Sequence, residues 1–147
     1  MHLFKRAFVV IGLVLGIHII LLLTNGYAID QIDTPMHFLG GLAMGMLGLA
    51  VHHSATSKHQ VELLQPNPSL PRRSRPTWPA WYHYLFVVGF AMLVGIAWEF
   101  QEFVFDQTVS VWFDFPKAQI SLADTMKDFL LDWLGASVAF FVFRKRV

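Results

Sequence analysis

The feature that most constrains this chain is a succession of apolar segments, each close to the length needed to cross a bilayer as a helix. The first extends from Ala7 to Leu23, and its only polar side chain is His18. About 20 predominantly apolar residues span the hydrocarbon core of a membrane. Helices are predicted at about residues 7–24, 35–52, 81–105 and 122–143. Only 14% of the residues are charged, which is less than in a soluble domain. We therefore predict an all-α integral membrane bundle of four transmembrane helices, forming a single domain over residues 1–147.

The first helix has an alternative interpretation as a cleaved signal peptide. Gly26 to Ala28 provides a small-x-small sequence after the apolar core, which is typical of a cleavage site. The apolar core is long for a signal peptide, and a retained helix is the favoured interpretation. The chain has no cysteine, which excludes disulfides, thiolate metal sites and cysteine nucleophiles.

Lysine and arginine are distributed unequally between the two sides of the predicted bundle. A Pro/Arg-rich segment at 54–79 contains five prolines, which exclude a spanning helix there. Nine basic residues lie on the side of this segment and the termini: Lys5, Arg6, Lys58, Arg72, Arg73, Arg75, Arg144, Lys145 and Arg146. The other side has Lys117 and Lys127. The positive-inside rule then predicts that both termini and the 54–79 loop are cytoplasmic.

Acidic residues and one histidine recur at the predicted outer ends of three helices. They are His37 in the second helix, Glu99 and Glu102 in the third, and Asp124, Asp128 and Asp132 in the fourth. An Asp at the centre of a membrane helix costs about 2.5–3.5 kcal/mol even by the lower estimates. The aspartates are spaced i, i+4, i+8, and small residues such as Gly41, Gly95 and Gly135 share the polar faces. We therefore predict that the six side chains point into the bundle. Asp33 is interpreted as a loop acid beside a Thr34 cap.

Carboxylates with one imidazole favour a divalent metal ion such as Mg, Mn or Zn. We predict that these six residues form a metal site. If the protein is a metal-dependent enzyme that acts on a lipid or envelope substrate, Glu99 and Asp128 are the catalytic candidates. Two alternatives remain open. The acids suit a proton- or ion-coupled permease, or they hold together a non-catalytic membrane subunit. The predicted partners are the bilayer, a lipid-linked or small cationic ligand and further copies of the chain, but no nucleic acid.

Three motifs carry a resemblance to a known family. They are Asp33-Thr-Pro-Met-His37-Phe38, Trp98-Glu99-Phe-Gln-Glu102 and Asp128-Phe-Leu-Leu-Asp132-Trp-Leu-Gly135-Ala136. They resemble the VanZ-like family of small bacterial membrane proteins, which typically shows Asp…His-Phe, a Glu followed by Gln or Glu, and Asp-x-x-x-Asn-x-x-Gly. The resemblance implies a multi-pass fold in the bacterial cytoplasmic membrane with the polar residues on one side. Asp132 replaces the usual Asn, and Lys117 replaces the usual Arg. The resemblance therefore does not imply that this protein shares the teicoplanin resistance associated with VanZ.

Overall fold

The described part of the chain folds into four α-helices and one short 3₁₀ helix. The α-helices are α1 (His2–Leu23), α2 (Asp33–Leu63), α3 (Ala80–Phe113) and α4 (Leu122–Phe143), and the 3₁₀ helix Gly26–Ala28 lies between α1 and α2. The computed structural model describes residues 2–29, 32–63, 78–114 and 117–144, and for residues 2, 28 and 58–63 it describes the backbone alone. Within these ranges the secondary structure is entirely helical, as predicted.

Three of the helices are long and apolar enough to cross a membrane. These segments are Leu3–Leu23, Asp33–Ser57 and Ala80–Phe113. The 22 residues of α4 would extend about 33 Å, but three aspartates and Lys127 lie in its first half. An apolar, all-helical, multi-pass architecture is confirmed. That α4 crosses the bilayer and that both termini are cytoplasmic stay predictions.

The central element is α2, which packs against α1, α3 and α4. Its approach to α4 is close enough to bring the two backbones into contact. A Cβ atom built on Gly41 would lie 2.2 Å from the backbone oxygen of Asp132, and one built on Gly135 would lie 2.2 Å from the backbone oxygen of Phe38. Only glycine fits at such contacts, because any side chain would push the helices apart. The predicted small-residue faces therefore join α2 to α4.

The buried core is small, because most large apolar side chains point away from the bundle. One part of the core consists of Leu49, Val87 and Phe140, from three different helices. Among the described side chains of α1, only Ala7 is buried, and it packs in another part of the core with Met46 and Ala139. Exposed side chains such as Leu13 and Leu93 cover the outer faces. An apolar exterior of this extent is expected where helices contact lipid.

Three helices are longer than the sequence predicted, and the first of them, α1, begins at His2 rather than near residue 7. α2 continues beyond residue 52 to Leu63, because residues 54–63 contain neither Gly nor Pro and so nothing breaks the helix. α3 likewise continues to Phe113 and ends where Asp114 adopts a left-handed conformation with φ of 55°. Residues 64–77, which carry the prolines and arginines of the predicted loop except Pro79, lie outside the described residues.

Candidate functional site

His37 lies at the centre of a group of carboxylates contributed by three helices, and these carboxylates are buried except for Asp33 at 34% exposure. Its side chain is only 6% exposed. The Nε2 atom lies 3.5 Å from Asp33 Oδ1, 3.8 Å from Glu99 Oε1 and 3.9 Å from Asp128 Oδ2. The other ring nitrogen, Nδ1, lies 3.7 Å from Asp132 Oδ1. We call these five residues the His37 cluster.

Helical spacing explains how the His37 cluster forms. Asp33 is the first residue of α2 and lies one turn before His37, and Asp128 lies one turn before Asp132 on α4. Residues spaced i, i+4 share one face of a helix. The close contact between α2 and α4 places these two faces against each other. Glu99 on α3 completes the group from the third side.

Glycine makes room for the Asp132 carboxylate. A Cβ atom on Gly95 of α3 would lie 2.3 Å from Asp132 Oδ2, so any larger residue there would displace the carboxylate. On α2, a Cβ atom on Gly40 would lie 3.9 Å from Asp132 Oδ1. Asp132 therefore reaches His37 through a gap between two helices that glycine keeps open.

The connection between α3 and α4 holds Glu99 in position. The Gln119 side chain donates from Nε2 to Glu99 Oε2 at 3.0 Å and to the Glu99 backbone oxygen at 3.1 Å. Gln119 is in turn fixed by Asp106, whose buried carboxylate accepts the backbone N–H groups of Ala118 at 2.7 Å and Gln119 at 2.9 Å. Asp106 thus acts as an anchor for the segment that supports Glu99.

Three buried carboxylate oxygens of the cluster accept no hydrogen bond from any described residue. They are Glu99 Oε1, Asp128 Oδ1 and Asp132 Oδ2. Among the described residues, the ammonium group that pairs with the cluster is Lys127 Nζ, which lies 3.6 Å from Asp128 Oδ1 but donates to Asp124 Oδ1 at 2.6 Å. Buried carboxylate oxygens without a donor or counter-ion are costly. The cluster is therefore a place where a cation would be favourable.

Two cavities adjoin the His37 cluster. One, of about 220 Å³, lies between α1, α2 and α3 and is lined at its polar end by Asp33, His37 and Asp132. The other is a cleft of about 540 Å³ between α3 and the start of α4, and it reaches Glu99. The two cavities therefore border different residues of the cluster, Asp33, His37 and Asp132 on one side and Glu99 on the other.

Comparison with known protein families assigns the chain to one family. A family model described as "Predicted membrane protein (DUF2238)" matches residues 3–147. The chain belongs to the DUF2238 family. Neither a curated protein nor a solved structure matches it. The DUF2238 match supports a membrane protein but makes no connection to VanZ, so that narrower resemblance stays a prediction.

In this DUF2238 protein the structure brings together four of the six residues predicted as metal ligands. His37, Glu99, Asp128 and Asp132 belong to the His37 cluster, in which Asp33 is the fifth member. The other two make different contacts. Glu102 accepts a hydrogen bond from Trp98 Nε1 at 2.8 Å. Asp124 pairs with Lys127, and its backbone N–H donates to the cap residue Ser121. Metal binding itself stays a prediction.

Three residues of the site were missed by sequence reasoning. The predicted helix begins after Asp33, which makes this residue a loop acid, yet its i, i+4 spacing to His37 and its place in the Asp…His-Phe motif are usable signals. Gln119 and Asp106 carry no such signal. Their roles depend on a return of the chain between α3 and α4 that only the three-dimensional structure of this DUF2238 protein reveals.

Proposed function

We propose that the His37 cluster binds a divalent metal ion, Zn²⁺ or Mn²⁺ before Mg²⁺, in the outer half of the bacterial cytoplasmic membrane. The observation that carries the proposal is the convergence of Asp33, Glu99 and Asp128 on His37 Nε2 at 3.5–3.9 Å. Ligand atoms about 2.1 Å from a tetrahedral metal are separated from one another by about 3.4 Å. The ligand atoms of Asp33, His37 and Asp128 lie within 4.8 Å of one another, so a small inward movement would form the site.

Asp132 supports this assignment from the other side of the imidazole ring. Metal-bound histidines usually donate their second ring N–H to a carboxylate, which fixes the tautomer and ring orientation. Asp132 Oδ1 lies 3.7 Å from His37 Nδ1. A proton held on Nδ1 leaves the lone pair of Nε2 directed at the three other carboxylates. Asp132 is thus proposed to orient His37 rather than to bind the metal.

The charge of the cluster favours a divalent ion. Four carboxylates surround one imidazole, and Lys127 is the nearest ammonium group described. Like charges crowded in a buried site repel unless a cation or protons neutralise them. Imidazole is a good ligand for Zn²⁺, whereas Mg²⁺ prefers oxygen ligands and retains water. The mixed donor set therefore favours Zn²⁺ or Mn²⁺.

Such a centre would suit a metal-dependent enzyme acting on a lipid or envelope substrate. Three protein ligands leave a coordination position for water or substrate. Metal binding lowers the pKa of bound water, and a neighbouring carboxylate can accept its proton. Glu99 suits the role of base because the cleft between α3 and α4 reaches it. In this proposal Asp128 is a ligand and Glu99 is the catalytic candidate.

A proton- or ion-coupled permease is the second candidate. The observation that favours it is that one cavity reaches Glu99 and a separate cavity reaches Asp132, with His37 between the two carboxylates. Proton relays within membranes use such chains of acids and histidine. Proton or cation flux in proteoliposomes tests this candidate directly.

Metal analysis of the protein in lipid nanodiscs tests the first proposal. We expect close to one Zn²⁺ or Mn²⁺ per chain after dialysis, and a loss of affinity of about hundredfold or more in Asp33→Asn and Asp128→Asn. Glu102→Gln and Asp124→Asn are matched controls, since these carboxylates do not contact His37, and we expect both to retain the metal. The proposal fails if the folded parent binds no metal, or if the controls lose it as completely as the cluster variants.

A further inference from the structure

Most of the lining of the cavity beside Asp132 takes no part in the metal proposal. Most of its wall is aliphatic, including Val14 and Leu15 of α1 and Val94 of α3. Leu15 is 46% exposed and Val94 37% exposed, whereas Ala91 deeper in the cavity is buried. The cavity therefore opens at the surface of the bundle between α1 and α3. In a membrane this opening faces the acyl chains of lipids.

Three aromatic side chains, His18, Tyr27 and Trp98, lie together in the polar part of the same cavity. The His18 ring meets Trp98 edge-on at 5.0 Å and Tyr27 at 5.6 Å between centroids. The Tyr27 hydroxyl is hydrogen-bonded to His18 Nδ1, and Trp98 Nε1 donates to Glu102. These contacts hold the aromatic group in place. Aromatic groups of this kind recognise alkylammonium ions through cation–π attraction, most strongly with Trp.

Asp132 provides a carboxylate oxygen at the same end of the cavity. Its side chain is 7% exposed, and Oδ2 accepts no hydrogen bond from the described residues. Gly95 also lines the cavity and lies directly beside the buried Oδ2, so a residue without a side chain stands between this oxygen and the cavity. Asp33 lines this end as well. The Asp132 carboxylate thus places negative charge directly behind this end of the cavity, which favours a cation and disfavours an anion.

We propose that this cavity binds a cationic amphiphile, with the ammonium group between Asp132 and the aromatic group and the alkyl chain along the aliphatic wall toward the opening between α1 and α3. The site goes beyond the proposed metal centre: Asp33 and His37 line both, but the aliphatic wall and the aromatic group take no part in metal binding. The two sites can therefore be tested separately.

The test measures binding of radiolabelled decyltrimethylammonium to the protein in nanodiscs of a zwitterionic lipid, with empty nanodiscs as background. We expect saturable binding that excess unlabelled probe displaces and that decyl sulfate, with the same chain and the opposite charge, does not. Tetramethylammonium tests the head group alone, and we expect it to compete at least tenfold more weakly. Equal competition by decyl sulfate would overturn the proposed charge preference, and equal competition by tetramethylammonium would overturn the role of the apolar wall.

Paired tryptophan substitutions locate the binding site. Val94→Trp fills the cavity, whereas Leu93→Trp adds the same group on the outward face, where Leu93 is 69% exposed. We expect Val94→Trp to weaken probe binding at least tenfold and Leu93→Trp to leave it unchanged. Val14→Trp and Leu13→Trp form a second pair on α1, for use if either α3 variant fails to fold. Equal binding by the members of a folded pair would place the amphiphile elsewhere and refute the proposal.

The metal readout separates this proposal from the previous one. We expect Val94→Trp to lose the amphiphile but keep the metal, and Asp128→Asn to lose the metal but keep the amphiphile. Binding of the probe by a chain that holds no metal would contradict only the metal proposal. Bound metal in a chain that does not bind the probe would contradict only the amphiphile site.

Discussion

Replacing Gly41 by alanine should destabilise the protein although alanine is the better helix former. The new Cβ atom would lie 2.2 Å from the backbone oxygen and 2.6 Å from Cα of Asp132. Relief of these contacts requires α2 and α4 to separate by about 1 Å, and overpacking of this kind costs about 1–3 kcal/mol. Gly→Ala in a helix gains about 0.5–1 kcal/mol. We therefore expect a net loss of about 0.5–2 kcal/mol, or a fall in Tm of several degrees.

The matched control is Gly89→Ala on α3, where the added Cβ atom meets nothing within 4 Å. This substitution keeps the gain in helix propensity and avoids the clash, so we expect an unchanged or slightly higher Tm. Thermal unfolding of both variants in the same nanodiscs, followed by tryptophan fluorescence, measures the difference. A Gly41→Ala variant as stable as Gly89→Ala would refute the backbone contact between α2 and α4.

Three further predictions concern the surroundings of the site. Asp106→Ala should lower the free energy of unfolding by about 1–3 kcal/mol, because two backbone N–H groups lose their acceptor. Asp114→Asn, at an exposed position, should change the free energy of unfolding little, and thermal unfolding compares the two variants. Gln119→Leu should weaken metal binding about tenfold, because Glu99 loses its side-chain donor, and metal titration should show no such loss in the exposed control Gln101→Leu. Burial raises the pKa of Tyr27 to about 12, with the charges of Asp33 and Glu102 acting in the same direction. The folded chain thus holds the phenol proton more tightly than the unfolded chain does. The stability that Tyr27 contributes should therefore be constant below its ordinary pKa of about 10 and be lost as pH rises from there toward 12. A Tyr27→Phe variant should lack this loss when unfolding is measured as a function of alkaline pH.

The sequence predicted most of the fold because membrane insertion is encoded in composition and length. Apolar runs located the four helices, and the glycine pattern indicated the faces that pack. The helix ends were less predictable. No local sequence signal marks how far α3 continues, and it ends only after Phe113. Within the site, depth and periodicity predict one layer of polar residues, and the structure brings His37, Glu99, Asp128 and Asp132 of that layer together. Glu102 lies only three residues after Glu99, and sequence spacing could not show that Trp98 binds it instead.

The contact between α2 and α4 and the grouping of the acids are consequences of one arrangement. The glycines at the crossing bring the backbone of Asp132 against α2, and this places its carboxylate beside His37. The same approach gathers Asp33, Asp128 and Asp132 around one imidazole, where the repulsion between carboxylates opposes the packing. A bound cation would remove this repulsion and so stabilise the helix contact as well as the site. Metal occupancy and the stability of the α2–α4 contact should therefore change together, and a metal that left the unfolding temperature unchanged would have to bind outside the His37 cluster.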